Sequence, residues 1–144
     1  MADYCNVSDI TMSCGSLSFS ATTKPTLVEV ENRISDITNE IDFVLYGAGI
    51  KEQPTDARIL GRLKEACRLG VSGWVLYSRY GNSEKNNQGN KYLEKYEQIL
   101  EDIKSNPNNY GAITGFETIS MSNQVLDGTY TEEQNNNYQA DYEV

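Results

Sequence analysis

Apolar residues recur at steps of three and four in three stretches of the chain, and this spacing constrains the fold more than any other feature. It places the apolar side chains of each stretch on one face of an α-helix. It predicts helices over residues 26–46, 55–80 and 91–104. A short N-terminal helix or turn is expected around Ser8 and Ile10. We therefore predict a mainly α protein, a small helical bundle that buries these faces.

Residues that begin and end helices flank the periodic stretches. A T-x-x-E capping box, in which each side chain satisfies a backbone N–H, begins at Thr26. Pro54 and Thr55 mark the start of the second predicted helix, and Gly81 marks its end. Residues 81–90 are rich in Gly and Asn, which predicts a polar loop before the third helix.

Three glycines lie within the second predicted helix, although each lowers helix stability by about 1 kcal/mol relative to Ala. They are Gly61, Gly70 and Gly73. Because such glycines usually serve packing, we predict that a neighbouring helix approaches closely at these positions. Cys67 and Trp74 lie on the apolar face of the same helix, where we expect core residues rather than a reactive thiol or a ligand platform.

The first predicted helix is acidic on its polar face and the second is basic. The basic residues include Arg58, Arg62 and Arg68. We expect the two helices to be neighbours whose charges favour one antiparallel arrangement, although exposed pairs contribute only about 0–1 kcal/mol each. The three arginines are candidate contacts between the subunits of a ring. The alternative is a solvated face that pairs with the first helix of the same chain.

Net charge excludes some classes of partner. The 144 residues carry 12 Lys and Arg against 21 Asp and Glu, a net charge of −9. Such a chain repels phosphate, which argues against general binding to nucleic acids and to anionic membranes. The sequence contains no run of about 18 apolar residues, the length that a membrane-spanning helix requires. The N-terminal residues lack the features of a signal peptide, so we expect a protein made and kept in a reducing cytoplasm.

The last part of the chain differs from the rest, and we divide it into a helical domain, residues 1–106, and an acidic arm, residues 107–144. The arm holds six Asp and Glu and no Lys or Arg. It lacks the apolar area that would offset its ordering entropy. It is either a disordered tail or an extended arm that orders against a partner. Its candidate interface residues are Phe116, Ile119, Met121, Tyr130, Tyr138 and Tyr142.

The sequence offers little that could perform catalysis. The absence of histidine removes Ser-His-Asp and Cys-His nucleophile systems and His-based metal sites. The three cysteines show no metal-type spacing, and their odd number argues against a disulfide framework. We therefore predict a protein that is not an enzyme and has no catalytic residue, metal or cofactor. A pair of carboxylates brought together only by folding stays open as a third class.

Several segments, in this order, resemble the small neck proteins of tailed bacteriophages. They are ADYCNVSDI, FSATTKPTLVEVENRISDITNEID, GAGI, LGRLKEACRLG and YLEKYEQILEDIK. The family is that of the adaptor, or head-completion, proteins between portal and tail. The resemblance covers roughly residues 2–121, and its most specific segment is FSATTKPTLVEVE. No catalytic motif defines the family, so no site residues carry over.

The resemblance implies a structural virion protein, a head-tail connector made in the host cytoplasm. Such adaptors form a homo-oligomeric ring under the portal, usually a dodecamer, which extends the DNA channel without binding DNA specifically. Their partners are the portal protein and the next neck or tail-completion protein, and the C-terminal arm commonly clasps the portal or a neighbouring subunit. The alternative is a monomeric helical interaction module, a small regulator or inhibitor that uses its acidic arm.

Overall fold

The computed structural model describes residues 2–81 and 86–111, which contain four α-helices and no β-strand. Helix α1 spans Val7–Ser13, α2 spans Leu27–Gly47, α3 spans Ala57–Tyr80 and α4 spans Asn87–Ser105. A short 3-10 helix, Pro107–Asn109, follows α4. The prediction of a mainly α protein with three long helices and a short N-terminal one is confirmed. No helix in this part of the chain has the length and apolar character needed to cross a bilayer.

Helix α2 begins and ends where the sequence predicts. The side chain of Thr26 accepts a hydrogen bond of 3.2 Å from the backbone N–H of Glu29. The helix ends at Gly47, and Gly49 follows with a φ of 100°. Because residues other than glycine rarely adopt this left-handed conformation, Gly49 lets the chain turn towards α3.

Two other helix starts differ from the sequence prediction. Helix α3 is capped by Asp56 instead of Pro54 or Thr55, because the Asp56 carboxylate accepts hydrogen bonds from the second and third backbone N–H groups of the helix. Helix α1 is capped by Asn6, which exchanges hydrogen bonds of 3.0 Å with Asp9. Both caps are local interactions that satisfy N–H groups left unpaired at a helix start.

Helix α4 begins at Asn87, within the stretch predicted to be a loop. The reason is tertiary, because Gly89 lies against α3 and a Cβ there would be 3.1 Å from the Cβ of Leu76. The side chain of Asn86 also donates a hydrogen bond of 2.8 Å to the carbonyl of Gly81, the residue that ends α3. Contact with α3 therefore stabilises a helical turn in a segment whose composition favours a loop.

Helix α3 is at the centre of the core and packs against each of the other three helices. Its buried residues extend from Leu63 to Leu76. Side chains from all four helices are completely buried in one cluster, and they include Ile10, Val30, Ile41, Leu63, Val71, Val75 and Ile103. The predicted core position of Cys67 is confirmed, whereas Trp74 is only half-buried at the edge of this cluster.

Glycine allows α4 to approach α3 at two of the three predicted positions. A Cβ built on Gly70 would be 3.1 Å from the ring of Tyr96, and one on Gly73 would be 2.6 Å from Cγ of Leu93. The prediction was wrong for Gly61, which is exposed and would have no atom within 4 Å of an added Cβ. The apolar spacing alone did not reveal that Gly61 lies on the outer side of α3.

The first compact unit of the chain ends at Gly111, beyond the predicted domain boundary at residue 106. The side chain of Tyr110 belongs to the buried cluster of the helices. Its hydroxyl donates a hydrogen bond of 2.5 Å to the carboxylate of Asp102 in α4. The second unit, Ala112–Val144, lies outside the described residues, and so the predicted arm stays a prediction.

Candidate functional site

The outer side of α2 exposes large apolar residues to solvent. Phe43 is 78% exposed and Tyr46 is 56% exposed, one turn apart near the end of the helix, and Val28 near its start is 62% exposed. The ammonium of Lys51 lies 4.5 Å from the centre of the Tyr46 ring. We call Phe43 and Tyr46 the α2 aromatic pair. Single exposed apolar residues are common, but two adjacent aromatic rings suit a contact with another protein.

Exposed carboxylates share the solvent side of α2 with these apolar residues. Glu29, Glu31 and Asp36 are exposed on α2, and the only basic residue of the helix is Arg33. The guanidinium of Arg33 stacks 4.6 Å from the centre of the Trp74 ring in α3. Since that contact places the positive charge of Arg33 over α3, the exposed side of α2 is strongly acidic.

Arg58 and Arg62 line a groove of about 410 Å³ at the start of α3, opposite Asp102 and Tyr110. The Arg58 side chain is 94% exposed and lies 3.8 Å from Asp56. Arg62 hydrogen-bonds to the Tyr110 hydroxyl, which raises the pKa of its guanidinium. The hydrogen bond from Tyr110 lowers the pKa of Asp102, with a contribution from Asn106. The groove is therefore lined by two guanidinium groups and by the carboxylates of Asp56 and Asp102.

Arg68 lies apart from this groove and stabilises α1. Its guanidinium donates a hydrogen bond of 2.7 Å to the hydroxyl of Ser13 and lies 3.8 Å from the carboxylate of Glu65. Lys64 reaches the same short helix, 3.4 Å from Asp9. The structure thus brings Arg58 and Arg62 together, whereas Arg68 contacts the end of α1.

The expectation that α2 and α3 are neighbours is confirmed, whereas the expected pairing of their opposite charges within the chain was wrong. Across residues 2–81 and 86–111, no ion pair joins the two helices. Arg58 and Arg68 pair with carboxylates near them in sequence, and Lys64 pairs with α1. Long exposed side chains gain little from a distant partner and lose conformational entropy on pairing, so nearby carboxylates are favoured. The carboxylates of Glu29 and Asp36 on α2 and the guanidinium groups of Arg58 and Arg62 on α3 nevertheless remain at the surface.

Two buried tyrosines hold α2 in place through carboxylates. The hydroxyl of Tyr4 donates to Asp42 over 2.5 Å, and that of Tyr96 donates to Glu40 over 2.9 Å. Burial raises the pKa of both tyrosines, and the neighbouring carboxylate raises it further. Both therefore keep their protons at neutral pH and act as hydrogen-bond donors instead of bases.

The described residues give no sign of a metal centre. In this part of the chain no three His, Cys, Asp or Glu side chains lie close enough together to hold a metal ion. The three cysteines are free and buried.

The interface residues predicted in the arm lie outside the described residues. They are Phe116, Ile119, Met121, Tyr130, Tyr138 and Tyr142. Sequence reasoning also missed the α2 aromatic pair. The signal was present, since Phe43 and Tyr46 fall outside the three-and-four spacing that marks the buried face of α2. The contact of Tyr110 with Asp102 and Arg62 depends on how the chain turns after α4, and no sequence pattern indicates it.

Comparisons with protein-family models, with curated proteins and with solved structures give no match for this chain. The resemblance to neck adaptors therefore stays a prediction.

Proposed function

We propose that this protein is a structural subunit of the neck of a tailed bacteriophage, where copies form an adaptor ring that joins the portal to the tail. In this proposal it has no catalytic role and needs no cofactor. The observation that carries the proposal is that, within residues 2–81 and 86–111, no ion pair joins the acidic face of α2 to the basic face of α3.

Two different and complementary surfaces on one subunit favour head-to-tail association. A contact between unlike surfaces repeats from copy to copy and closes into a ring when the rotation between copies allows it. The exposed carboxylates Glu29 and Asp36 would face Arg58 and Arg62 of the next copy. Such charge complementarity accelerates encounter and fixes the register of the contact.

The α2 aromatic pair supplies the apolar part of this contact. Aromatic residues are enriched at the centres of protein interfaces, where they often dominate the binding energy. Phe43 is the most exposed large apolar residue among those described, and burying it against a neighbour removes its apolar surface from water. The charged residues nearby would form the polar rim of the interface.

The net charge of −9 suits a ring whose channel wall must let DNA pass without binding it. Affinity for DNA depends mainly on Lys and Arg that neutralise phosphates, so an acidic ring holds DNA weakly. Residues 112–144 carry all six acidic groups of the predicted arm and no Lys or Arg. In the proposed function this segment contacts the portal or a neighbouring subunit, and its tyrosines serve as anchors.

The first experiment is to mix the protein with the portal protein of the same genome and image the complex by electron cryomicroscopy. We expect a ring with cyclic symmetry on the portal, with α2 of one copy beside α3 of the next. A protein that stays monomeric and leaves the portal bare would contradict the proposal.

Charge reversal tests the contact itself. Arg58→Glu should weaken ring formation, because Arg58 is almost completely exposed and its loss leaves the fold intact. Lys95→Glu is the matched control, since Lys95 is an exposed residue of α4 and the change in net charge is the same. Equal loss with both variants would mean that net charge, and not the α3 face, governs assembly. Combining Arg58→Glu with Glu29→Lys should restore assembly if the faces meet as proposed.

Removal of residues 112–144 tests the arm. The cut after Gly111 retains Tyr110, which is part of the buried cluster, so the helices should remain folded by circular dichroism. We expect the shortened protein to lose its attachment to the portal. Normal attachment would show that the arm is dispensable.

The acidic segment also favours a second candidate, a monomeric interaction module that binds a basic protein. Six acidic groups with no Lys or Arg in residues 112–144 would attract a basic partner surface. A stable one-to-one complex with such a partner, and no ring at any concentration, would favour this candidate.

A further inference from the structure

The thiols of Cys5 and Cys67 meet in the core although 62 residues separate them in the chain. Their sulfur atoms lie 3.0 Å apart, and both cysteines are free. Cys67 is completely buried in α3, and Cys5 is 6% exposed just before α1. Two thiols at this distance need to move by only about 1 Å to form a disulfide, whose bond length is about 2.05 Å.

Hydrogen bonds on both sides of Cys5 hold it in this position. The backbone N–H of Tyr4 donates to the hydroxyl of Thr38 in α2 over 3.2 Å. On the other side, Asn6 begins α1 through its capping box with Asp9. The Thr38 hydroxyl also lies 3.8 Å from the sulfur of Cys67. The thiol pair is therefore part of a defined packing arrangement between the N-terminal segment, α2 and α3.

The two thiols have different acidities. The Cys5 S–H donates a hydrogen bond to the sulfur of Cys67, which lowers the pKa of Cys67. The same hydrogen bond and burial raise the pKa of Cys5. Cys67 is thus the more acidic thiol of the folded pair, but it is completely buried, and Cys5 is the one that borders a surface groove.

A surface groove borders Cys5, the less deeply buried cysteine of the pair. It has a volume of about 400 Å³ and lies between the N-terminal segment and α2. Asp3 and Glu31 are among its lining residues, together with Cys5 itself. Their carboxylates favour cationic reagents over anionic ones, because opposite charges attract at short range.

We propose that Cys5 and Cys67 form a disulfide when they meet a small disulfide oxidant, and that this bond fastens the N-terminal segment to α3. The proposal does not depend on the ring function. In the first step the Cys5 thiolate attacks one sulfur of the oxidant, whose S–S bond breaks and releases one thiol after protonation. In the second step the Cys67 thiolate attacks the Cys5 sulfur and releases the second thiol.

The electrons and protons balance in this exchange. The two cysteines lose two electrons and two protons in all, and the oxidant gains both, becoming two thiols. A reducing compartment keeps the pair as free thiols, and an oxidising one closes the bond. Cys14 takes no part, because its sulfur contacts the carbonyl of Ser72 at 3.9 Å and does not meet another thiol.

The test uses the full-length protein and cystamine, a small disulfide that carries two positive charges. We expect the intact mass to fall by two hydrogens, one thiol to remain titratable, and a peptide containing residues 5 and 67 to appear as a cross-link. Dithiothreitol should reverse all three changes. Oxidised glutathione, which is anionic, should react more slowly than cystamine because of Asp3 and Glu31.

Cysteine variants distinguish the proposed Cys5–Cys67 disulfide from other reactions of the thiols. Cys14→Ser should form the same bond, whereas Cys67→Ser should retain a cysteamine adduct at Cys5. The oxidised wild-type protein should unfold at a higher denaturant concentration, because the bond restricts the unfolded chain. Three unreacted thiols in the folded wild type, with all three reacting in urea, would overturn the proposal. So would stable cysteamine adducts on the wild type or a cross-link through Cys14.

Discussion

Helices α2 and α4 both bury aliphatic residues in the core, but α4 also approaches the central helix α3 at two of its glycines. Helix α4 approaches α3 at Gly70 and Gly73, because these glycines have no Cβ to keep the two helices apart. Helix α2 contributes large buried aliphatic residues, such as Ile34 and Ile41, and is fixed by hydrogen bonds from tyrosines. The first contact should be sensitive to added atoms and the second to removed atoms. This difference predicts the direction in which substitutions change stability.

The largest effect is expected from removing atoms on the α2 side. Ile41→Ala should lower the free energy of unfolding by about 2–5 kcal/mol, because Ile41 is completely buried and its loss leaves a cavity. Phe43→Ala is the matched control on the same helix. Since Phe43 is 78% exposed, its removal should change stability by less than about 0.5 kcal/mol. Urea denaturation measures both, and equal losses would show that the buried face of α2 is misassigned.

Adding one methyl group to the α4 side should produce the next largest effect. Gly73→Ala should destabilise the protein by about 1–3 kcal/mol relative to Gly61→Ala, because the new Cβ meets Leu93 and the backbone of Gly89. Gly61→Ala meets no atom within 4 Å and should stabilise α3 by up to about 1 kcal/mol. Thermal unfolding of the two variants compares the same chemical change in two environments. A gain in stability with both would mean that α4 does not lie close to Gly73.

A smaller effect should follow from removing a tyrosine hydroxyl. Tyr96→Phe loses the hydrogen bond to Glu40 between α4 and α2, and should cost about 0.5–1.5 kcal/mol at neutral pH. Because the pKa of Tyr96 is raised in the folded protein, its contribution is complete below the unfolded value of about 10 and is lost as pH rises above it. The variant should therefore lose less stability than the wild type between neutral and alkaline pH. Denaturation at several pH values provides the measurement, and parallel curves would contradict the assignment.

The smallest effect should come from the end of α4. The pKa of Asp102 is lowered by the hydrogen bond from Tyr110, so the stabilisation is present above the unfolded value of about 3.9 and is lost as pH falls. Asp102→Asn should weaken the acid dependence of unfolding and should have little effect at neutral pH, because the group is close to water. Glu101→Gln is the control, since Glu101 is exposed and only pairs with Lys104 at 3.6 Å. If the stability of both variants falls equally with decreasing pH, the hydrogen bond from Tyr110 does not stabilise the Asp102 carboxylate.

Local features of the sequence predicted much of this fold. The spacing of apolar residues located α2 and α3 because it repeats with the period of the helix itself. Thr26 and Gly81 indicated helix ends because caps depend on residues a few positions away. The same reasoning missed the first turn of α4, where Asn86 and Gly89 adopt helical packing only in contact with α3.

The candidate surfaces were less predictable than the helices. The sequence indicated opposite charges on α2 and α3, but it did not indicate that these charges pair elsewhere. Arg68 binds Ser13 and Glu65, and Arg62 binds Tyr110, through contacts that depend on the positions of other elements. An exposed ion pair is weak, so proximity and not charge pattern selects its partner.

The sequence by itself determined most of the helical residues and the apolar face of each long helix, because both follow from interactions within a few turns of one helix. Only the tertiary structure decided that Gly73 receives α4 while Gly61 faces solvent, and that Cys5 meets Cys67 across 62 residues. Those contacts join segments that are distant in the chain. Their partners are selected by the shape and burial of the whole core, which no local pattern contains.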